Sequence, residues 1–469
     1  MKNSILWGIL CSFSLTATAQ DYYAKDRVYT GNQISNTVSV IDPATNTLLG
    51  EIVLGKPQTN ILTALYKGQA LVHGLGYSRS KQMLAVVAIG SNSVALVSTP
   101  DNKVLSTIYI GRAPHEPTFT PDGSQVWVTV RGEAYLSVID VATRKEIRQV
   151  PVSDGPGMVA FTPDGKRAYV CSSFSPVLDV VDAKTYKVIE KVEIPSSFSP
   201  NIFMSPDGKL VALTLKDIGR VIIVDTKTNK IIKNLPTGAI TNHVTFTTLN
   251  GRLLMPVTVG GENCVKVFDV ANDYKLIATV PVGALPHGEW ASPDGKRLYV
   301  GLEFADQVQP INLETMATLP AIQIGQSPQA LLYAPDAVPT GSGTMNLRSL
   351  QDAAATQVIV MQNLAEDNST ASGQLVVRPA GLTDLVEQLF LRLKPNTTYT
   401  LALSHSAEAP YSLDYTINSF TTDTNGKYAG QSTGLVKATA DSQAVTYKQV
   451  ILTEKPSGKV VMMGNTSVE

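Results

Sequence analysis

The regular spacing of one kind of turn is the feature that most constrains the fold of this chain. A Pro-Asp-Gly turn, or a variant of it, returns every 42 to 44 residues, with its central residue at Asp122, Asp164, Asp207, Asn250, Asp294 and Asp336. Between these turns, short apolar and β-branched runs alternate with turn residues, as at 167–170, 178–182 and 188–192. Such runs predict hairpins rather than helices. A single small sheet cannot bury both of its faces, whereas sheets arranged around an axis cover each other, so the repeat predicts a β-propeller.

The number of blades follows from the strands that each unit supplies. Six complete units span 71–111, 112–153, 154–195, 196–238, 239–283 and 284–325. Two fragments remain, because residues 27–55 supply only a second, third and fourth strand and residues 327–336 supply only a first. Joined, the fragments make a seventh blade, which closes the ring and removes exposed sheet edges. We therefore predict an all-β chain in which residues 20–339 form a seven-bladed propeller.

The repeat ends before a Thr-Gly-Ser-Gly-Thr stretch at 340–344, which is typical of a linker. Alternating β patterns then return at 356–362, 373–378, 389–393, 398–404, 412–420 and 444–453. Because these segments no longer follow the repeat, we predict a separate β-sandwich domain at 340–469. Modules of this kind more often space or attach than catalyse, and we expect His405 to be a surface histidine without a partner.

Residues 1–19 have the pattern of a signal peptide, with an apolar stretch to Leu15 and small residues before a predicted cleavage after Ala19. We therefore expect export to the periplasm, the cell surface or the extracellular medium. No other stretch is long and apolar enough to cross a bilayer. Two cysteines, Cys171 and Cys264, follow the predicted cleavage site, and since the repeat places them two units apart we expect free, buried thiols.

The charge balance argues against a polyanion as the partner. The chain has 38 Lys and Arg against 39 Asp and Glu, with no run of like charges. We therefore expect no binding of nucleic acid. We also expect a monomer, with a small molecule or an envelope protein as its partner. The sequence also lacks Gly-x-Ser-x-Gly, Cys-x-x-Cys-His, phosphate-loop and His-Glu-x-x-His motifs, so the chemistry of those motifs is unsupported.

Two stretches carry a resemblance to a known family. Residues 29–47 read Tyr-Thr-Gly-Asn-Gln-Ile-Ser-Asn-Thr-Val-Ser-Val-Ile-Asp-Pro-Ala-Thr-Asn-Thr, and residues 292–300 read Ser-Pro-Asp-Gly-Lys-Arg-Leu-Tyr-Val. They resemble the YVTN family of propeller repeats, found in surface-layer and periplasmic proteins similar to the YncE group. The resemblance extends over residues 27–338 and implies the fold, but little about function, because this fold hosts lactonases, lyases, metalloenzymes and binding scaffolds. Residues 393–401 are similarly like a turn and strand of fibronectin-like sandwiches.

Histidines gather at one position of the repeat. In a propeller the first strand of each blade lines the central channel, and it begins at the face where ligands usually bind. Counting seven residues back from each turn gives the side chains at this channel mouth, which for blades 1 to 7 are Gln329, His73, His115, Gly157, Pro200, His243 and His287. Four of the five histidines therefore fall on one arc, although a longer turn leaves the register at His243 open by one residue.

Clustered imidazoles at a channel mouth suit a cation site, an anion clamp or a general base. We predict that a divalent transition metal is bound by His73, His115, His243 and His287. The predicted ligand-binding residues also include Gln329, Glu116, Glu289, Arg131 and Glu303. Further polar residues expected near the rim are Glu133, Lys216, Asp217 and Glu262.

The sequence leaves different classes of function open. The preferred interpretation is an exported binding or scaffold protein with a small-ligand or metal site at the channel mouth. The alternative is an enzyme, either of the lactonase or lyase type or a histidine-ligated metalloenzyme distantly like the copper site of nitrous oxide reductase. A structural role, in which the histidines only cap backbone groups, competes with both. An insertion at 56–70 is either a lid carrying Tyr66 and Lys67 over the mouth or an ordinary surface loop.

Overall fold

The computed structural model describes residues 23–54, 70–350, 356–364, 370–380, 383–434 and 447–466. The predicted signal peptide at 1–19 and the predicted lid residues Tyr66 and Lys67 lie outside these ranges. Within them, the regular structure is β apart from one 3-10 turn at Gly260–Glu262. None of the described segments forms a helix with the length and hydrophobicity that spanning a bilayer takes.

Seven antiparallel sheets form the blades of a propeller. Blade 1 consists of Pro328–Ala334, Arg27–Asn32, Thr37–Asp42 and Thr47–Val53. Blade 2 consists of Val72–Ser78, Met83–Ala88, Ser93–Ser98 and Lys103–Tyr109. Blade 3 consists of Pro114–Phe119, Gln125–Val130, Tyr135–Asp140 and Lys145–Pro151. Blade 4 consists of Pro156–Phe161, Arg167–Ser172, Val177–Asp182 and Lys187–Glu193.

The remaining blades follow the same plan, with a divided strand in each of the last two. Blade 5 consists of Ile202–Met204, Leu210–Leu215, Arg220–Asp225 and Lys230–Pro236. In blade 6 the first strand is divided, and the strands are Thr241–Val244, Thr247–Leu249, Arg252–Val259, Cys264–Asp269 and Lys275–Pro281. In blade 7 the last strand is divided, and the strands are Pro286–Ala291, Arg297–Leu302, Gln307–Asn312, Ala317–Thr318 and Ile322–Gln323.

The ring closes through blade 1, as the sequence predicts. Strand Pro328–Ala334 pairs antiparallel with Arg27–Asn32, which places Tyr333 opposite Val28. The Tyr333 hydroxyl also donates a hydrogen bond of 2.7 Å to the Asp26 carboxylate beside this seam. Each first strand contacts the first strand of the next blade all the way around. The seven-bladed, all-β architecture is therefore confirmed.

Burial within a blade follows the position of the strand. The second strand of blade 3, Gln125–Val130, is buried at all but its first residue, whereas the outer strand Lys145–Pro151 is mostly exposed. The apolar cores lie between neighbouring blades, where for example the rings of Trp127 and Phe161 meet edge-on at 5.1 Å between centroids. Each blade is thus stable only with its neighbours in place.

The recurring aspartates serve turns, as the sequence predicts. The Asp122 carboxylate accepts a hydrogen bond of 3.0 Å from the backbone N–H of Ser124, and Gly123 between them has φ of +71°, which favours glycine. Asp140, which closes a third strand, accepts one of 2.7 Å from the backbone N–H of Thr143. These carboxylates therefore belong to the scaffold.

Two free cysteines lie in cores between blades. Cys171 belongs to the apolar cluster shared by blades 4 and 5, and Cys264 to that shared by blades 5 and 6. Both are buried and unpaired with each other, as predicted. Burial raises the pKa of Cys171 to about 12 and that of Cys264 to about 11. The thiolate forms, which are the reactive ones, are therefore disfavoured near neutral pH.

The C-terminal part is one eight-stranded antiparallel sheet that is nearly closed. Its strand order is Tyr415–Thr421, Thr398–Ser404, Gln449–Glu454, Lys459–Asn465, Gln357–Asn363, Ser372–Ala380, Thr383–Leu391 and Tyr428–Gly434. The two end strands meet, with the rings of Phe420 and Tyr428 stacked at 3.8 Å between centroids. The sheet wraps around its own apolar core, which accounts for the predicted second β domain.

Two of these eight strands were not predicted from the sequence, and a third is longer than predicted. Tyr428–Gly434 reads YAGQSTG and exposes alternate residues, so it lacks the apolar alternation that identifies a strand. Lys459–Asn465 is also missed, and Thr383–Leu391 begins well before the predicted segment at 389–393. His405 was expected to have no partner, and this is wrong, because its Nδ1 lies 2.6 Å from the Asp414 carboxylate.

A buried ion cluster joins the C-terminal sheet to blade 7. The Arg378 guanidinium donates hydrogen bonds of 2.7 Å to the Asp306 carboxylate and of 2.9 Å to the Glu303 carbonyl. Its other terminal nitrogen pairs with Glu387. The side chains of Arg378 and Asp306 are 1% and 0% exposed. Buried charges are tolerated only when they are paired with opposite charges. This cluster therefore holds the C-terminal sheet in one orientation against blade 7.

An apolar cluster surrounds this contact and shows which propeller face it covers. Its buried members are Ile240, Leu285, Phe304, Val376, Leu389 and Leu391. Ile240 and Leu285 directly precede the first strands of blades 6 and 7. The C-terminal sheet therefore stands on the face where the first strands begin, which is the face of the channel mouth.

Replacing the central arginine should loosen this contact. We expect Arg378→Ala to lower the free energy of unfolding by about 3–5 kcal/mol, because it leaves two carboxylates buried without a cation. Urea denaturation measures the loss. Arg392→Ala, at an exposed arginine of the same sheet that bonds the Thr370 carbonyl, is the matched control and should change stability by less than about 0.5 kcal/mol. Equal stability of the two variants would contradict the role given to Arg378.

Candidate functional site at the channel mouth

A bulge in the first strand brings two consecutive side chains to the channel mouth. In blade 3, Pro114 lies opposite Val130 and Pro117 opposite Val128. The two residues between the prolines, 115 and 116, therefore face a single residue of the second strand. The same arrangement occurs in blades 2, 4, 6 and 7, and in blade 1 a single residue, Gln329, is left out of the pairing. Bulges re-aim side chains, and here both bulged residues can reach one side of the strand.

The bulged residues enclose a cavity of about 100 Å³ at the mouth. It is lined by His73, His115, Glu116, Arg131, Met158, Phe198, Pro200, Lys216, Asn242, His243, His287, Gln329 and Ala330. The four histidines predicted to meet thus share one cavity. Blade 3 contributes His115 and Glu116 as neighbours, and blade 6 contributes Asn242 and His243.

The structure corrects the register at blade 6. A threonine hydroxyl on the second strand of a blade donates to the carbonyl of the next blade's mouth residue, as from Thr129 to Gly157 at 2.8 Å. The equivalent bond from Thr214 reaches Asn242 at 3.1 Å. Asn242 therefore takes the position counted for His243, and the register that was left open there is shifted by one residue, because the long turn that follows contains the extra residue. Through the bulge, His243 still lines the cavity.

Backbone carbonyls orient two of the imidazoles. His115 Nδ1 lies 2.8 Å from the Gly157 carbonyl, and His287 Nδ1 lies 2.6 Å from the Gln329 carbonyl. A carbonyl only accepts hydrogen bonds, so each Nδ1 carries the hydrogen. Both rings are left with a lone pair on Nε2, which is the form that binds a metal or accepts a proton. These two histidines thus do cap backbone carbonyls, as the structural role proposed. The same hydrogen bond leaves Nε2 of each ring free to bind a ligand.

His243 has the other tautomer. The Asn201 side-chain oxygen accepts the backbone N–H of Val244 at 3.0 Å, which fixes the orientation of this amide. The Asn201 nitrogen then donates to His243 Nδ1 at 3.2 Å. In the neutral ring the hydrogen consequently lies on Nε2, so His243 is a hydrogen-bond donor there. No pattern in the sequence marks Asn201 for this role.

The rings form two close pairs, one of which includes a carboxylate. The centroids of His73 and His115 are 4.4 Å apart, and those of His243 and His287 are 5.0 Å apart. One potential ligand atom from each of His73, His115 and Glu116 lies within 4.8 Å of the other two. In the described part of the chain, no other set of three histidine, cysteine or acidic side chains is close enough together to hold a metal ion.

Burial keeps the imidazoles uncharged. It lowers the pKa of all four, to about 3 for His73 and His243. The Arg131 guanidinium contributes next at His73, and the Lys216 ammonium at His243. Neutral imidazole is the state that coordinates metals, so protons do not compete for these rings near neutral pH.

Burial acts in the opposite direction on the carboxyl group beside them. It raises the pKa of Glu116 to about 8, although a hydrogen bond of 3.1 Å from the backbone N–H of Leu75 opposes this. The pKa of Glu289 is raised well above its usual value for the same reason. A cation close to Glu116 would favour its ionised form.

The other predicted residues have different locations. Gln329 and Arg131 line the cavity, whereas Glu289 does not, because it follows the bulge of blade 7 and pairs with Val300. Glu303 lies near Lys216 but outside the lining. Glu133, Asp217 and Glu262 hydrogen-bond or ion-pair with Arg112, Ser196 and Lys266, respectively.

The C-terminal sheet forms a cleft beside the cavity. The cleft has a volume of about 480 Å³ and lies between blades 5 and 6 and the C-terminal strands. Asp217 lines the cleft and its chain neighbour Lys216 lines the cavity, so the two spaces lie close to each other at this part of blade 5. The sequence predicts a C-terminal domain that spaces or attaches, and it gives no indication that this domain lies at the mouth.

A glycine in blade 2 makes room for the group of possible ligands. A Cβ at Gly74 would overlap the His115 carbonyl and lie 2.5 Å from a Glu116 carboxylate oxygen. We expect Gly74→Ala to destabilise the protein by about 1–3 kcal/mol through this overpacking. Gly301→Ala is the control, because its nearest atom would be 3.5 Å away. Urea denaturation of both variants tests this, and an unaffected Gly74→Ala would show that the bulge is not tightly packed.

Comparison with known proteins identifies the fold. No protein-family model and no curated protein matches the chain. Among solved structures, it is similar to Kuenenia stuttgartiensis hydrazine synthase, with a TM-score of 0.52 and 21% identity over 60% of this chain and 93% of that one. It is also similar to a functionally unknown protein from Desulfotomaculum acetoxidans DSM 771, with a TM-score of 0.54 and 11% identity over 66% of this chain and 99% of that one. At these identities the likeness establishes that the chain is a β-propeller scaffold, and nothing about its activity.

Proposed function

We propose that this protein is an exported, monomeric β-propeller binding protein that holds a divalent transition metal ion at its channel mouth, with His73, His115 and Glu116 as ligands. One observation carries the proposal, which is the convergence of these three side chains to within 4.8 Å of one another. The partner in this proposal is a small molecule or another protein of the cell envelope.

The chemistry of the three side chains supports a transition metal. Imidazole and carboxylate together suit zinc, iron, copper or nickel better than magnesium or calcium, which prefer oxygen ligands. His115 presents Nε2 because its Nδ1 is held by the Gly157 carbonyl at 2.8 Å. Three protein ligands leave further coordination positions for a small molecule. His243 and His287 line the same cavity outside this group of three, where they can contact that molecule rather than the metal.

Family and compartment are part of the same proposal. The YVTN-like stretches at 29–47 and 292–300 support membership of the YVTN-repeat, YncE-like propellers, and the pattern of residues 1–19 supports export. A domain division into 1–19, 20–339 and 340–469 accords with the linker-like stretch that follows the repeat. Cleavage after Ala19 can be checked by N-terminal sequencing of the secreted protein.

Metal content tests the main proposal. We expect gently purified protein to contain a transition metal in stoichiometric amount, measured by elemental analysis. His73→Ala, His115→Ala and Glu116→Gln should each lower metal affinity at least about tenfold, since each removes one ligand. His405→Ala is the matched control, because this histidine is exposed and lies in the C-terminal sheet. Equal metal content in the wild type and all three site variants, with folding verified by circular dichroism, would refute the proposal.

A second candidate function is catalysis of the lactonase or lyase type. It is favoured by Glu116, a buried carboxyl group whose pKa of about 8 suits a general acid or base at neutral pH. We expect such an enzyme to convert members of a panel of lactones and unsaturated acids, and to lose at least about a hundredfold in rate in His115→Ala and His287→Ala. Activity that is indifferent to both substitutions would place the reaction elsewhere.

A further inference from the structure

Two cationic side chains line the channel-mouth cavity without an anionic partner. Arg131 and Lys216 are both half-buried. Within the described residues neither side chain has an ion pair or a hydrogen bond, and the Arg131 guanidinium lies instead over the rings of Phe174 and Phe198 at 5.6 and 5.7 Å. Glu303 attracts Lys216 but does not come within salt-bridge distance. Partly desolvated cations are normally paired with anions, so this arrangement favours the binding of an anion.

The charges of the side chains that line the cavity also favour an anionic ligand. Among the described residues that line the cavity, Glu116 is the only one with a carboxyl group. Even in its ionised form it cannot balance an arginine and a lysine together. A metal ion at the proposed site would add further positive charge. The cavity therefore favours an anionic molecule whether or not a metal is bound.

The remaining lining residues indicate what kind of anion fits. His243 supplies an Nε2–H donor, because its Nδ1 accepts from Asn201. Met158, Phe198, Pro200 and Ala330 supply apolar surface. A cavity of about 100 Å³ has room for only a few heavy atoms. An organic carboxylate with a short apolar part matches both the cations and the apolar wall, whereas phosphate or sulfate would leave the apolar wall uncovered.

The neighbouring cleft has the same sign of charge. It is lined by Arg220, Arg392 and Lys427, with Asp217 as its one carboxylate. Positively charged clefts raise the local concentration of anions and speed their association. The cleft between the C-terminal sheet and the propeller is therefore a suitable approach for an anion to the cavity beside it.

We propose that the channel-mouth cavity binds a small organic carboxylate, with Arg131 and Lys216 holding the carboxylate group and His243 donating to it. This proposal rests on one part of the proposed function, namely that the cavity is a ligand site. It does not require the metal. Arginine pairs with carboxylates through two parallel hydrogen bonds, and lysine acts as a point charge, so the two residues have distinguishable roles.

Titration calorimetry on metal-stripped full-length protein tests the proposal. The probes are acetate and propionate, acetamide as the neutral isostere of acetate, and inorganic phosphate. We expect both carboxylates to bind and acetamide to bind at least about tenfold more weakly, because it lacks the charge-assisted hydrogen bonds. Arg131→Gln and Lys216→Gln should each weaken acetate binding at least about tenfold. Lys184→Gln, at an exposed lysine outside the cavity and the cleft, should leave binding unchanged.

Each outcome supports or overturns one proposal separately. Absence of carboxylate binding, equal binding in both cavity variants and the wild type, or preference for phosphate would overturn the carboxylate assignment. Arg131→Lys keeps the charge and should restore part of the affinity lost in Arg131→Gln, which separates loss of charge from loss of folding. Carboxylate binding by a protein that never retains metal would refute the metal proposal alone, and metal binding without carboxylate binding would refute this one alone.

Discussion

Closure of the propeller ring is the constraint on which the rest of the structure depends. The pairing of strand Pro328–Ala334 with Arg27–Asn32 joins the two ends of the repeat array, so every first strand contacts the next one around a circle. In an open array these strands would diverge and the terminal blades would expose an apolar face and a sheet edge. Closure also turns equivalent positions of separate repeats into neighbours. Four histidines far apart in sequence thereby line a single cavity.

The bulge at the start of the first strand decides which chemistry reaches this cavity. Side chains of a regular strand alternate between its two sides, so His115 and Glu116 could not both face the channel without it. The bulge presents them together and places Glu116 beside His73 of the preceding blade. Glu289 shows the contrast, since it lies after the bulge of its own blade and does not line the cavity. Local backbone geometry, more than residue type, thus selects the members of the site.

Burial and charge then determine the state of the side chains. Desolvation keeps the four imidazoles neutral and disfavours the ionised form of Glu116. If only these five side chains lined the cavity, it would carry no net charge. The cations Arg131 and Lys216 break this neutrality, and the C-terminal sheet adds a positively charged cleft beside them. A metal ion and a carboxylate would compensate each other here, because each supplies the charge that the other lacks. The C-terminal sheet is therefore part of the mouth, fixed there by the buried Arg378 and Asp306 pair.

The sequence by itself determined the number of blades, the closure of the ring and the gathering of histidines at one height, because a constant repeat length places equivalent residues equivalently around an axis. It did not determine the register of His243. The repeat length shows that this blade is one residue longer, but it does not show whether the extra residue comes before or after the first strand in the sequence. The hydrogen bond from Thr214 to Asn242 resolves this only in three dimensions. Likewise the amide of Asn201, the bulge that recruits Glu116 and the contact of Arg378 with Asp306 depend on residues distant in the chain. Such contacts leave no local pattern, so the tertiary structure alone decided them.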